Sequence, residues 1–290
     1  MNILILGSSG MIGSAMLKIL SEKTDWNVKG TIRQDSTKIL FPPNLAGQLI
    51  VSPDLNLSDS LVDLFNQAQP DVVINCAGIT KHQFSGNDPV ALISMNSLLP
   101  HRLLKLCKEM GSRLIHISTD CVFSGKKGAY TESDFTDAQD WYGRSKVLGE
   151  LDDSKAITLR TSTIGAELNS QYGLLEWFLS QKKICKGYSR AIFSGLPTVV
   201  FAQIVSDIVI PRPALSGLYH VGANPISKFD LLQLIAQVYD KKIDIIADEQ
   251  LKIDRSLDST RFHDATGYTA PMWPQLIKQM HQGIGRYKHV

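Results

Sequence analysis

The chain has 290 residues, 43% of them hydrophobic and 20% charged, enough to bury a sizeable core in one large α/β unit or two domains. That balance excludes disorder, collagen-like repetition and coiled coils. Lys+Arg 30 against Asp+Glu 28 leaves a formal charge of +2, too little for a general nucleic-acid footprint.

The chain opens MNILILGSSG, an apolar strand running into a Gly/Ser turn rather than a basic-then-apolar leader. No apolar run approaches the ~20 residues that a membrane span needs. A soluble, cytoplasmic protein without membrane contact is the expectation. After a first strand at Ile3–Leu6, a helix is predicted from about Met11 to Lys23. Further strands are predicted at Val28–Ile32, Leu49–Val51, Asp71–Asn75, Leu114–Ser118 and Ile157–Arg160. Helical patterns separate most of them, at about Ser58–Gln69, Pro89–Met110 and Asp140–Asp153. Short apolar strands alternating with helices mean a parallel sheet covered on both faces, a Rossmann-like doubly wound α/β fold.

Beyond about Thr161 the rhythm loosens. A helix is predicted over Leu174–Lys186, a loop or strand region over Gly187–Leu196 and another helix over Phe201–Ile210. Gly217–Val221 reads as a strand returning to the sheet. Ser227–Tyr239 reads as a helix with Ser227 as its cap, and Pro271 and Pro274 read as a loop before a last helix. The domains expected are a dinucleotide-binding domain over 1–165, its sheet completed by about 198–225, and a smaller interleaved lobe over 166–290 closing over a cleft. Lys126–Lys127, Lys182–Lys183 and Lys241–Lys242 read as solvated faces rather than anion sites. Cys76, Cys107, Cys121 and Cys185 have no metal-ligand spacing, so neither a metal site nor a disulfide framework is expected.

The turn Gly7-Ser8-Ser9-Gly10-Met11-Ile12-Gly13 follows the first strand and opens the first helix. Glycine lets a pyrophosphate approach the backbone, and the helix N-terminus offers it unpaired N–H groups. The second strand ends at Ile32-Arg33, where an enzyme selective for NAD usually carries an acid for the ribose 2′-hydroxyl. Arg33 suits a 2′-phosphate and points to NADP; Asp35 is the alternative, filling the acid role for NAD. Asn75-Cys76-Ala77-Gly78 ends the fourth strand with small residues where backbone can meet the cofactor.

Tyr142-Gly143-Arg144-Ser145-Lys146 places a phenol and an ammonium on one helix face. Ser118-Thr119-Asp120, at the end of the fifth strand, brings a hydroxyl to the same carboxyl edge of the sheet. Together these fit hydride transfer to a ketone. Tyr142 would protonate the alkoxide, Lys146 would favour the phenolate and hold the nicotinamide ribose, and Thr119 would bind the ketone oxygen.

The Gly7–Gly13 spacing resembles the extended, sugar-nucleotide branch of the short-chain dehydrogenase/reductase superfamily. STDCVFSGKKGAYTESD (Ser118–Asp134), YGRSKVLGE (Tyr142–Glu150) and RTS (Arg160–Ser162) resemble the dTDP-4-dehydrorhamnose reductase family, whose pattern is close to STDYVFDG…Y-E, YG-SK--GE and RTSW. Ser194-Gly195-Leu196-Pro197-Thr198 is similar to its G-x-P-T element. Arg255-Ser256-Leu257-Asp258-Ser259 is similar, in shortened form, to its C-terminal R-P-x-x-S-x-L-D region. The resemblance implies NADPH, or NADH, as cofactor and reduction of a nucleotide-activated 4-keto-6-deoxyhexose in cell-surface polysaccharide synthesis. A homodimer is a further expectation.

Carried over by position, the resemblance makes Thr119, Tyr142 and Lys146 catalytic. Gly7, Gly10, Met11, Ile12, Gly13, Arg33, Asp54, Leu55, Cys76, Ala77, Gly78, Ile79, Thr80, Tyr142 and Lys146 are the expected cofactor contacts. Thr119, Asp120, Cys121, Thr163, Gly195, Pro197 and Thr198 are the expected substrate contacts. Cys121 stands where the family has Tyr, and Thr163 where it has Trp, so the particular sugar is open. The loop Lys81-His82-Gln83 also departs from the family, and His116 reads as packed rather than catalytic. A 4-epimerase remains an alternative. So does a non-catalytic, NADP-binding regulatory subunit like that of methionine adenosyltransferase, although such a subunit has no need of a proton relay.

Overall fold

The computed structural model describes residues 1–52, 54–81, 88–168 and 171–285. Its strands in chain order are β1 (Asn2–Leu6), β2 (Asn27–Ile32), β3 (Leu49–Val51), β4 (Val72–Asn75), β5 (Arg113–Thr119), β6 (Ala156–Thr161), β7 (Thr163–Ile164), β8 (Ile184–Tyr188), β9 (Ala191–Phe193), β10 (Leu196–Pro197), β11 (Gly217–His220), β12 (Ile226–Ser227), β13 (Asp244–Asp248) and β14 (Ile253–Asp254). The helices are α1 (Met11–Ser21), α2 (Pro43–Ala46), α3 (Ser58–Ala68), α4 (Pro89–Ile93), α5 (Leu99–Met110), α6 (Trp141–Leu148), α7 (Leu174–Ser180), α8 (Thr198–Ile204), α9 (Lys228–Val238), α10 (Thr260–Thr266) and α11 (Trp273–Gly285).

Seven strands form one sheet in the order β11-β6-β5-β4-β1-β2-β3, with parallel pairing from β3 through to β5. The order reverses between β1 and β4, and the segments leaving those two strands are Gly7–Gly13 and Cys76–Thr80. In a doubly wound sheet that switch point is where a ligand finds room beyond the strand ends. Leu4, Leu6 and Val73 on the sheet bury against Leu61, Leu64 and Phe65 of α3 and Leu99, Leu103 and Cys107 of α5. Truncating one of these, such as Leu103, to Ala costs roughly 2–5 kcal/mol.

The chain forms two compact units. One comprises Met1–Thr119, Gln139–Leu159 and Ala202–Leu218; the other comprises Asp120–Ala138, Arg160–Phe201 and Tyr219–Val290. Within the second, the segment that follows Thr119 is held in several places. Phe123 stacks on Tyr130 with centroids 4.1 Å apart, and the Arg160 guanidinium lies 5.1 Å from the Phe123 ring centre. Arg160 Nη1 donates to His220 Nε2 at 3.1 Å, so Nδ1 carries the proton and donates to the Tyr130 carbonyl at 3.0 Å. Burial and the Arg160 charge push His220 down to about 4.

Several predicted elements are corrected. The Leu174–Lys186 helix stops at Ser180, where Gln181 turns extended, and Ile184–Tyr188 forms β8 with alternate residues exposed and buried. That strand pairs in parallel with β13, for which the sequence predicts no element. Lys241 is not simply solvated: its Nζ donates to the carbonyls of Leu179 and Gln181 at 2.8 and 2.7 Å, closing the end of α7. The predicted Asp140–Asp153 helix is only α6, Trp141–Leu148. Pro274 lies inside the first turn of α11, where its missing N–H costs nothing, rather than in a loop. The predicted Phe201–Ile210 helix starts earlier, as α8, and passes through a π-helical turn at Val205–Val209. Ser227 caps α9 as expected, its Oγ accepting from Asp230 N at 3.0 Å.

Candidate active site

The glycine turn shows which of its glycines are structural and which leave backbone bare. A Cβ on Gly7, which has φ +78°, would meet Ala77 Cα at 2.8 Å, and one on Gly13 would meet the Gly7 oxygen at 2.2 Å. Both positions exclude any side chain. At Gly10 the nearest atom, the Gly7 oxygen, is 3.4 Å away. Gly10 is the N-cap of α1. Among the described residues no side chain caps this 11-residue helix and its first turn carries no acid, which is the arrangement that accepts a phosphate. The residues present fit a dinucleotide.

Arg33 is exposed directly after β2. Asp35, the alternative acid, opens a short 3-10 turn and pairs with Lys38 at 2.8 Å. Asp54 Oδ1 accepts from Asn56 N at 2.8 Å, and Arg102 Nη1 donates to the Asn56 carbonyl at 2.6 Å, fixing the turn that carries Asp54 and buried Leu55. Beyond β4, Ala77 N donates to Asn75 Oδ1 at 3.1 Å. Asn75 Nδ2 donates to His116 Nδ1 at 3.1 Å, so His116 is a neutral, packed residue; burial pushes its pKa well below the usual imidazole value. The Cys76 thiol is pushed up to about 12 by burial, so it lines the turn as an unreactive group.

The predicted catalytic groups lie in one unit. Thr119 is the last residue of β5 and is buried. Tyr142 stands in the first turn of α6, which is capped by Asp140 Oδ1 accepting from Gly143 N at 2.8 Å. The same carboxylate pairs with Lys81 at 3.0 Å, while His82 and Gln83, grouped with Lys81 in the sequence reading, lie outside the described residues. One turn beyond Tyr142, Lys146 is 5% exposed and its Nζ donates to the Ile117 carbonyl at 2.8 Å. Burial lowers its pKa to about 8, opposed by the negative charge of Glu150.

Asn96 is a site residue that the sequence reading missed. It sits in a π-helical turn, Ser94–Leu98, between α4 and α5, where one continuous helix was predicted. Pro100 lacks the N–H that an α-helix would direct at the Asn96 carbonyl, and the widened turn is the outcome. The Asn96 side chain is buried. Its Oδ1 accepts from Ile79 N at 2.9 Å, and its Nδ2 donates to the Ile79 carbonyl at 2.9 Å and to Ser145 Oγ at 3.1 Å. It thus ties the Cys76–Thr80 segment to the helix of Tyr142 and Lys146. The available signal was an amide inside an otherwise apolar helical pattern four residues before a proline.

The expected substrate residues fall in two groups in the second unit, apart from Thr119. Thr163 pairs with Leu196 and Ile164 with Pro197, which brings Thr163 beside Gly195, Pro197 and Thr198. A Cβ on Gly195 would lie 2.2 Å from the Ser162 oxygen, so only glycine permits that pairing. Asp120 and Cys121 form the other group, in a 3-10 turn. Arg255 Nη1 donates to Cys121 Sγ at 3.8 Å, and its Nε donates to the Phe123 carbonyl at 2.8 Å. Leu257 N donates to Ser194 Oγ at 2.9 Å, so the segment that follows β14 reaches both groups.

A doubly wound sheet with a bare helix terminus at its switch point, and a Tyr/Lys helix beside a strand-end hydroxyl, define a Rossmann-like oxidoreductase of the extended short-chain dehydrogenase/reductase class. More particularly, the chain belongs to the RmlD substrate-binding domain family, which it matches over residues 1–282. It is 24% identical to a dTDP-4-dehydrorhamnose reductase of Aggregatibacter actinomycetemcomitans, over 96% of this chain and 97% of that one. It is 25% identical to the methionine adenosyltransferase 2 subunit beta of Rattus norvegicus, over 82% of this chain and 72% of that protein. Its fold is similar to that of the dTDP-4-dehydrorhamnose reductase of Bacillus anthracis in complex with NADP, with a TM-score of 0.79 at 17% identity, over 97% of this chain and 98% of that one.

Proposed function

We propose that this protein reduces the 4-keto group of a nucleotide-activated 4-keto-6-deoxyhexose with NADPH, as a dTDP-4-dehydrorhamnose reductase does. The observation that carries this reading is Lys146, buried and anchored on Ile117 O one turn after Tyr142, beside the hydroxyl-bearing end of β5. An ammonium is held out of water there at a cost that packing alone does not explain.

The Gly7–Gly13 turn, Asp54, Leu55 and Cys76–Thr80 would hold the dinucleotide, and exposed Arg33 would take its 2′-phosphate. Bound reduced nicotinamide supplies the hydride. Thr119 hydrogen-bonds the substrate ketone oxygen and fixes its position. Tyr142 gives its phenolic proton to that oxygen as negative charge develops, a contribution of about 10²–10⁴-fold for a placed general acid. A phenol ordinarily titrates near pH ~10, and the Lys146 charge favours the phenolate and so eases the proton's departure. Asp120, Cys121, Thr163, Gly195, Pro197 and Thr198 would receive the sugar, with Asp120 followed by Cys121 rather than by the Glu of a 4,6-dehydratase.

The test is loss of NADPH absorbance across a panel of dTDP-, UDP- and GDP-4-keto-6-deoxyhexoses. Turnover of at least one supports the reading, and cofactor binding with no turnover on any rejects it. The likeness to a methionine adenosyltransferase subunit favours a second reading, a regulatory partner. Capture of a synthetase together with absent turnover would favour that one.

A further inference from the structure

Glu150 lies just past α6 and acts on the buried charge of Lys146. Lys146 is sunk among Ile117, Cys76 and His116. Three titratable groups act on it: the un-ionised Cys76 thiol from beyond β4, neutral His116 from β5, and Glu150 from just past α6, with Tyr142 one turn earlier on its own helix. Of these, Glu150 is the carboxyl group, and it favours the charged lysine. Its position is not left to chance. Ser118 Oγ donates to Glu150 Oε1 at 2.6 Å, while Lys146 Nζ donates to the Ile117 carbonyl at 2.8 Å. The carboxylate and the ammonium therefore grip adjacent residues of β5, immediately before Thr119.

We propose that Glu150 is a positioning residue whose tethered carboxylate keeps buried Lys146 in its ammonium form. The functional meaning rests on the reductase reading, in which that charge activates Tyr142. With Lys146 set at about 8 in the intact protein, removal of an opposing charge close by lowers the midpoint by about one pH unit. At pH ~7.5 that change leaves about threefold fewer Lys146 side chains charged.

The experiment is an NMR titration of the full chain carrying ¹³C-labelled lysine side chains, with the Lys146 signal assigned by its loss in Lys146→Met. In the native protein it should titrate near pH 8; in Glu150→Gln it should titrate about one unit lower, and in Glu150→Asp between the two. An unchanged midpoint in a folded Glu150→Gln variant, or Gln and Asp variants that titrate alike, overturns the proposal. If Glu150→Gln does not fold, Ser118→Ala leaves the carboxylate but unties it; a midpoint that falls part-way supports the proposal and an unmoved one overturns it. In turnover assays the alkaline limb of kcat/KM should move with the NMR midpoint, and a limb that stays fixed while the midpoint moves overturns the link to catalysis. Absence of turnover in the native protein counts against the reductase reading alone, because the titration needs neither substrate nor cofactor.

Discussion

A Cβ built on Gly149 would lie 1.9 Å from the backbone oxygen of Asn96. The end of α6 therefore rests directly on the π-helical turn, and no side chain fits between them. Gly149→Ala should cost about 3 kcal/mol through forced displacement of packed backbone. Because Asn96 holds both Ile79 and Ser145, turnover should fall further than stability alone would dictate. Urea unfolding and steady-state rates on the same preparation check this; native-like values in both would show that the contact yields freely.

Replacing Tyr142 with Phe removes the proposed proton donor and keeps the ring. The kcat should fall by about 10²–10⁴-fold. NADPH affinity, followed by fluorescence quenching, should stay within several-fold. A variant that turns over at the native rate would dismiss Tyr142 as the acid.

Lys146→Met should stabilise the protein at neutral pH. The lysine titrates near 8 when folded, against 10.5 for the free side chain, so the folded state disfavours its charge by roughly 3 kcal/mol below pH 8. Losing the donor to Ile117 O returns about 1 kcal/mol of that, leaving a gain of about 2 kcal/mol. Between pH 8 and 10.5 the unfolded chain binds the extra proton, so native stability rises with pH and the gain shrinks. Unfolding midpoints at pH 7 and pH 10 test both the sign and the trend.

His220 works in the opposite pH range. It is neutral when folded, titrating near 4 instead of 6.5, so the unfolded state binds the extra proton between those values. Stability is unaffected by it above pH 6.5 and drops by about 1.4 kcal/mol per unit as pH falls towards 4. His220→Gln should remove that slope. Parallel pH profiles for variant and native protein would mean that the proton lands elsewhere.

Arg33→Ala should weaken NADPH binding at least tenfold, about 1.4 kcal/mol, and leave NADH binding where it was. Equal losses for the two cofactors would assign Arg33 to general charge rather than to the 2′-phosphate.

The first half of the fold was readable because each strand is a short apolar run ended by a turn. Leu49–Val51 is found as predicted, and β1, β2 and β4 to within a residue. The placement of Tyr142 and Lys146 one turn apart on a helix, and of Thr119 at a strand end, was legible for the same reason. What escaped was set by tertiary contact. Asn96 has the composition of an ordinary helical residue; its role comes from meeting Ile79 and Ser145, 17 positions before and 49 after it. The exposed–buried alternation of β8 runs unbroken through Gly187, but a glycine carries no side chain to show it; a Cβ there would meet Phe229 Cα at 2.9 Å. Lys241 looked like one of a solvated pair because nothing local announces the two carbonyls it closes.

The two compact units are threaded rather than strung in series. The chain passes from one to the other between Thr119 and Asp120, Ala138 and Gln139, Leu159 and Arg160, Phe201 and Ala202, and Leu218 and Tyr219. Neither half can be obtained as a continuous fragment, and no single splice with a relative can exchange one of them whole. Under the proposed function, a changed sugar preference would come from point changes inside segments such as Asp120–Ala138, whose first residue follows Thr119 directly. Recombination is a blunt tool on such a chain, and substitution the finer one.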